Sequence, residues 1–159
     1  MQNDSINDET PEIEEEIPSI PYRIDTSWYE RQGRSLRFML QERMCDDSRE
    51  RAKLQTAISA APATEGRRSS RKSGLVSVED YIEEIRECCS NEPGFKRGGT
   101  LGEVLFRILL AGGNKPRTSL ELCESMQEWV GGNDGRAMTP SVVERLLATD
   151  AFYGFAPAN

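Results

Sequence analysis

The 159-residue chain contains no histidine. That removes imidazole general acid–base catalysis, Ser-His and Cys-His nucleophile pairs, and histidine metal ligation. It also lacks any run of about 18 apolar residues, so no membrane-spanning helix is predicted. Met1 to Glu16 carries acidic residues but no basic ones, which is not the pattern of a secretory signal peptide. Phosphate-binding loops are missing as well. The glycine pairs at 98–99, 112–113 and 131–132 lack the GxGxxG spacing and a preceding strand, and there is no Gly-Lys-Ser or Gly-Lys-Thr. No carboxylate stands in an apolar setting that would retune it. The chain therefore reads as non-enzymatic, with no cofactor or small-molecule substrate called for and a cytoplasmic location expected.

Apolar residues are sparse for a compact core of this length, at 36% against 30% charged, so part of the chain is predicted to stay unpacked. Cysteine is also scarce: Cys45, Cys88, Cys89 and Cys123. A chain that is neither small nor cysteine-dense favours reduced thiols over a disulfide framework. A four-thiolate zinc site is the rival reading. Adjacent residues on a helix diverge by about 100°, which sets Cys88 and Cys89 apart. Buried thiols acting as small hydrophobes are the simpler expectation.

Charge is present but unevenly placed. Residues 1–22 hold seven acidic groups and no Lys or Arg, residues 23–77 are net +5, and residues 78–159 are net −5. The predicted organisation is an acidic disordered tail at 1–22, a helical arm at 23–60, a basic flexible linker at 61–76 and a helical domain at 77–159. In the arm, Asp25, Thr26 and Ser27 offer a cap before Trp28 and Tyr29. Gly33 interrupts, and Leu36, Met39, Leu40 and Met44 then follow one buried face. A charged stretch from Asp46 to Lys53 leads into a further helix with Leu54, Ala57 and Ile58.

From residue 77 the punctuation is clearer. Ser77-Val-Glu-Asp80, Thr100-Leu-Gly-Glu103 and Thr118-Ser-Leu-Glu121 are capping-box patterns. Each precedes an amphipathic stripe. The first is Val78, Tyr81, Ile82, Ile85 and Cys89. The second is Leu101, Val104, Leu105, Ile108 and Leu109, stopped by Gly112-Gly113. The third is Leu120, Cys123, Met126, Gln127 and Val130. Thr139-Pro140 opens a last helix carrying Val142, Val143, Leu146 and Leu147. Ala151 to Ala156 is rich in aromatics and reads as a short strand. Leu105 and Leu109 are expected at the centre of the core.

The stretch LGEVLFRILLAGGNKPRTSLELCESM (101–126) resembles the first two helices of winged helix-turn-helix modules, and TPSVVERLLATDAFYGF (139–155) resembles their third helix and return strand. The resemblance covers about 60 residues and is one of pattern. It departs from the family in two ways: no strand is evident between the first two helices, and no two-stranded wing with a basic tip follows. The fold class expected is mainly α, with a small winged-helix-like C-terminal domain.

A DNA reader of that family presents Arg, Lys, Asn or Gln from its third helix. Here that helix offers Arg145 beside Glu144, with Arg136 just before it. Phosphate contacts dominate nucleic-acid affinity, so a net-acidic module is better suited to a protein partner. Arg67, Arg68, Arg71 and Lys72 are the strongest nucleic-acid candidates, either tracking phosphates or simply solvating a linker; no aromatic is interleaved for base stacking. Trp28 and Tyr29 beside Arg34 and Arg37 are the candidate protein-binding residues, the alternative being a core tryptophan with a solvated arginine rim. The functional expectation is an interaction or assembly protein, in a nucleic-acid-associated complex of transcription or the ribosome. Its alternatives are a DNA-binding regulator and a thiol- or zinc-dependent structural protein.

Overall fold

Most helix starts are written in this sequence as hydroxyl or carboxylate caps, and the caps at Asp25, Ser77, Thr100, Thr118 and Thr139 accept backbone N–H bonds. The structure, a computed structural model, describes residues 20–60, 75–97, 99–130 and 138–158, with 55–60 described by backbone alone. Helices α1 (Thr26–Arg31) and α2 (Leu36–Glu42) are capped by Asp25 and Ser35. They are separated by Gly33 in the left-handed region at φ 64°. Helix α3 runs from Asp46 to Ala60, continuous through the charged stretch. Helix α4 (Val78–Glu87) has both halves of the Ser77–Asp80 capping box, and short 3-10 turns at Cys89–Asn91 and Pro93–Lys96 follow it.

Helix α5 (Leu101–Ala111) buries Val104, Leu105, Phe106, Ile108, Leu109 and Leu110. It is apolar on nearly every side and forms the axis on which the other elements pack. Strand β2 (Arg117–Thr118) lies between α5 and helix α6 (Ser119–Val130), where no strand was evident from sequence. The α6 start is a full reciprocal cap: Thr118 N–H donates to Glu121 at 2.8 Å, and Glu121 N–H donates to Thr118 Oγ1 at 3.3 Å. Helix α7 (Pro140–Thr149) and strand β3 (Phe155–Pro157) complete the described residues. Among the described residues no helix is long and apolar enough to cross a membrane.

Strand β1 (Pro21–Ile24) sits between β2 and β3, antiparallel to both. It begins inside the stretch that composition assigns to the tail. Pro21 opens the strand, the one strand position where a missing N–H costs little, and Tyr22 and Ile24 alternate inward, 6% and 1% exposed. Asn114, left-handed at φ 57°, completes the α5 exit by bonding both backbone groups of Ile24. Ile24 N–H donates to Asn114 Oδ1 at 2.8 Å, and Asn114 Nδ2 donates to Ile24 O at 2.9 Å.

Residues 21–44 thus share one core with the described helices after residue 75. Leu36, Met39, Leu40 and Met44 belong to the same buried cluster as Ile85, Leu105 and Leu147. The expected α6 stripe is corrected: Ser119, Leu122, Cys123 and Met126 face inward, while Leu120 and Val130 are 53% and 40% exposed. The inward set follows i, i+3, i+4, i+7 from the first helical residue, one step out of phase with the stripe counted from Leu120. The expected strand over 151–156 begins only at Phe155, because Asp150 organises the preceding residues as a turn.

Candidate functional site

Two constellations join the first part of the chain to the last. One is the turn after α7. The Asp150 carboxylate accepts backbone N–H bonds from Phe152, Tyr153, Gly154 and Phe155, at 2.8–3.2 Å. Gly154 takes φ 74°, and a Cβ there would stand 2.8 Å from the Trp28 ring and 3.1 Å from Tyr29, so only glycine fits. The Tyr29 hydroxyl donates to Tyr153 O at 2.6 Å, and Asp25 N–H donates to Gly154 O at 2.8 Å. Burial pushes the Tyr29 phenol well above its ordinary range.

Arg34 closes this assembly. Its Nη1 donates to Phe152 O at 2.7 Å. Its guanidinium carbon lies 4.5 Å from the Phe152 ring centroid, 5.5 Å from Trp28 and 5.7 Å from Tyr29. Tyr153 packs between Phe106 and Phe155 underneath. The result is a multiply hydrogen-bonded turn that leaves Phe152 52% exposed, with Trp28 partly covered beside it. Phe38, four residues after Arg34, is 59% exposed.

Of the four sequence candidates for partner binding, three converge here: Trp28, Tyr29 and Arg34. Tyr29 is a buried support, 1% exposed. Arg37 goes elsewhere, donating to the Tyr81 hydroxyl on α4 at 3.3 Å with its guanidinium 5.1 Å from that ring. Phe152 was not singled out from sequence. The signal was an aspartate followed four residues on by glycine, which marks a turn rather than a strand.

Among the nucleic-acid candidates, Arg145 is exposed on α7. Arg67, Arg68, Arg71, Lys72 and Arg136 lie outside the described residues. Arg117 is engaged by α6, donating to Ser125 Oγ at 2.8 Å.

The second constellation is the junction of α3 with the end of α4. Cys45 precedes α3, and its N–H donates to Cys89 Sγ at 3.0 Å. Cys45 Sγ lies 3.4 Å from Cys88 Sγ and 3.2 Å from Cys89 Sγ. The predicted divergence of Cys88 and Cys89 does not hold, because α4 ends at Glu87 and the backbone turns at Cys88. Buried Ser48 stands against Cys45 and Cys89 and donates to Glu84 Oε1 at 2.7 Å; Arg51 also binds that carboxylate. Cys123 lies apart from this group, donating to Met138 O.

Burial raises the Cys89 thiol to about 11. Burial acts the same way on Cys45, but hydrogen bonding with Ser48 and the neighbouring thiols outweighs it and brings Cys45 below the ordinary thiol value. Cys45 and Cys89 border an open cleft of about 460 Å³ that Asp46, Asp47, Glu92 and Arg107 also line.

No family model, curated protein or solved structure matches the chain. The functional reading therefore rests on these two constellations.

Proposed function

We propose that the chain is a non-enzymatic interaction protein of the cytoplasm, docking a protein partner through the exposed aromatic turn at Phe152. The observation that carries this reading is an apolar side chain held outward by a fully bonded turn. An exposed phenylalanine on a mobile loop could fold back onto the surface. Here the Asp150 carboxylate, the Arg34 clamp and the left-handed Gly154 hold it in place. A pre-ordered aromatic beside an arginine loses little conformational freedom on binding, the property of interface anchors.

The winged-helix-like reading of residues 100–156 is part of the same proposal. Its support is the order helix, short strand, helix, helix, strand, with β1 supplying a third strand from the N-terminal side. Against a DNA-reading role stands the chemistry of α7, whose exposed positions are Ser141, Val142, Arg145, Ala148 and Thr149. One cation there is a poor source of phosphate affinity. A nucleic-acid-associated complex remains the proposed setting, with the basic stretch Arg67–Lys72 as the weak anionic contact.

Two measurements test the choice. A photo-crosslinking residue at position 152 should give discrete protein adducts in a native extract, and the same residue at Glu50 on α3 should not. Fluorescence anisotropy of the full chain with duplex DNA should show only salt-sensitive binding, no tighter than about 10⁻⁵ M at physiological salt. Tight, sequence-selective binding lost on Arg145→Ala would make the chain a DNA reader instead.

A further inference from the structure

We propose that Cys45, Cys88 and Cys89 form a three-thiolate site for Zn²⁺, with its fourth position open to the adjoining cleft. The sulfur atoms of all three lie within 4.8 Å of one another. Zn–S bonds of about 2.3 Å place tetrahedral sulfur ligands roughly 3.8 Å apart. The observed separations of 3.2 and 3.4 Å reach that value by small side-chain rotations. A disulfide, at about 2.05 Å, requires a closure of more than 1 Å instead.

The donor set selects the ion. Three sulfurs suit a soft or borderline cation and not Mg²⁺ or Ca²⁺, which take oxygen ligands. Zinc imposes no d-electron geometry and accepts three protein ligands plus a water or other ligand in the fourth place. The cleft beside Cys45 and Cys89 is the route by which that ligand enters.

Two features beside the thiols favour an anionic centre, and the acidic Asp46, Asp47 and Glu92 of the cleft oppose it. Three thiolates with Zn²⁺ leave one negative charge. The Arg51 guanidinium reaches Ser48 Oγ beside the thiols at 3.4 Å, and the 15-residue α3 begins immediately after Cys45. Cys45 N–H donates to Cys89 Sγ, the outer-shell bond that orients a sulfur ligand. Without a cation the three thiols have one proton each and compete for the same few acceptors, Ser48 Oγ and one another. A metal resolves that competition by replacing the protons.

The test uses the full chain, purified with reductant, stripped with chelator and titrated with Co²⁺ as the spectroscopic probe for Zn²⁺. The expected result is sulfur-to-cobalt charge-transfer absorption and tetrahedral visible bands saturating at about one ion per chain. Zn²⁺ should bleach these bands, and protons should be released on binding because thiols become thiolates. Cys45→Ser and Cys88→Ser should each weaken Co²⁺ binding by about tenfold or more, a loss at least as large as that of an outer-shell partner, with Cys123→Ser unchanged. Cys45 and Cys88 are both only partly buried, and Cys88 lacks the Ser48 contact of Cys45, so the Cys88 variant keeps the test valid if the Cys45 variant misfolds; circular dichroism checks both. Absence of charge-transfer absorption overturns the site. So does equal loss on Cys123→Ser, or a Cys45–Cys89 disulfide in chain isolated without reductant together with no Co²⁺ binding after reduction.

Discussion

The aromatic turn and the thiol junction both fasten residues 20–54 to the later helices, by opposite means. At the turn the strong donors and acceptors are densely paired. Four N–H groups meet one carboxylate, a phenol meets a carbonyl, and a guanidinium meets a carbonyl and three rings. What is left over is apolar and points outward. At the junction the partners are weak, because two of three clustered thiols share one hydroxyl and the third meets only another thiol, and what is left over is chemical and borders a cleft. Saturated geometry around an exposed ring suits recognition of a surface, whereas unsaturated soft atoms in a partly enclosed site suit an ion.

Between the two lies a third fastening that sets the scale for both. Arg43 of the α2 exit bonds both Glu103 oxygens at 2.7 Å, with side chains 11% and 12% exposed, and Arg107 adds a bond at 2.9 Å. Arg43→Ala leaves a nearly buried carboxylate to Arg107 alone, so the largest stability loss is expected here, about 3 kcal/mol. Chemical denaturation checks it. A loss below about 1 kcal/mol would mean that the turn and the junction hold the N-terminal segment without this pair.

Gly154→Ala comes next, at about 2 kcal/mol or somewhat more, from left-handed strain and the contact with Trp28. It should loosen the turn and leave the thiols unaffected. A parallel change in Co²⁺ binding at the cysteines would break the comparison, since the two sites would then be one cooperative unit.

The pH dependence is a smaller effect with a definite sign. Burial raises the Glu103 carboxyl, but the hydrogen bonds of Arg43 and Arg107 overcome it and hold the group below the ordinary carboxylate range. A folded value below the unfolded one, about 4.3, contributes stability that is complete above that pH and is lost as pH falls through the folded value. The melting-temperature advantage of the native chain over Glu103→Gln should therefore shrink on acidification below about pH 4.3. An advantage that grows there would reverse the assignment. Smallest of all, Phe152→Ala should change stability by less than about 0.5 kcal/mol, because the ring is already half in water. It should nevertheless abolish partner capture. A large stability loss would make Phe152 a structural residue and the turn a mere clasp.

Local rules made much of the fold readable. The caps at Asp25, Ser77, Thr100, Thr118 and Thr139 are each satisfied within a few residues of themselves, so a sequence window contains the whole interaction. The stripes of α2, α4 and α5 follow from helical periodicity, and Leu105 and Leu109 are fully buried where that periodicity puts them. What the sequence determined alone is therefore the mainly helical class, the helix starts and most of the inward faces. Tertiary structure decided the rest. The β1–β2 and β1–β3 pairings join residues about 95 and 135 positions apart, and no local pattern encodes a partner at that distance. The α6 phase depended on which side met α5 and α7. Glu103 looked like the second half of a capping box and was taken instead by arginines from elsewhere. Cys88 and Cys89 looked divergent because helical geometry was assumed through a point where the chain leaves the helix. A side chain's chemistry is set by its neighbours in space, and at both candidate sites those neighbours come from far along the chain.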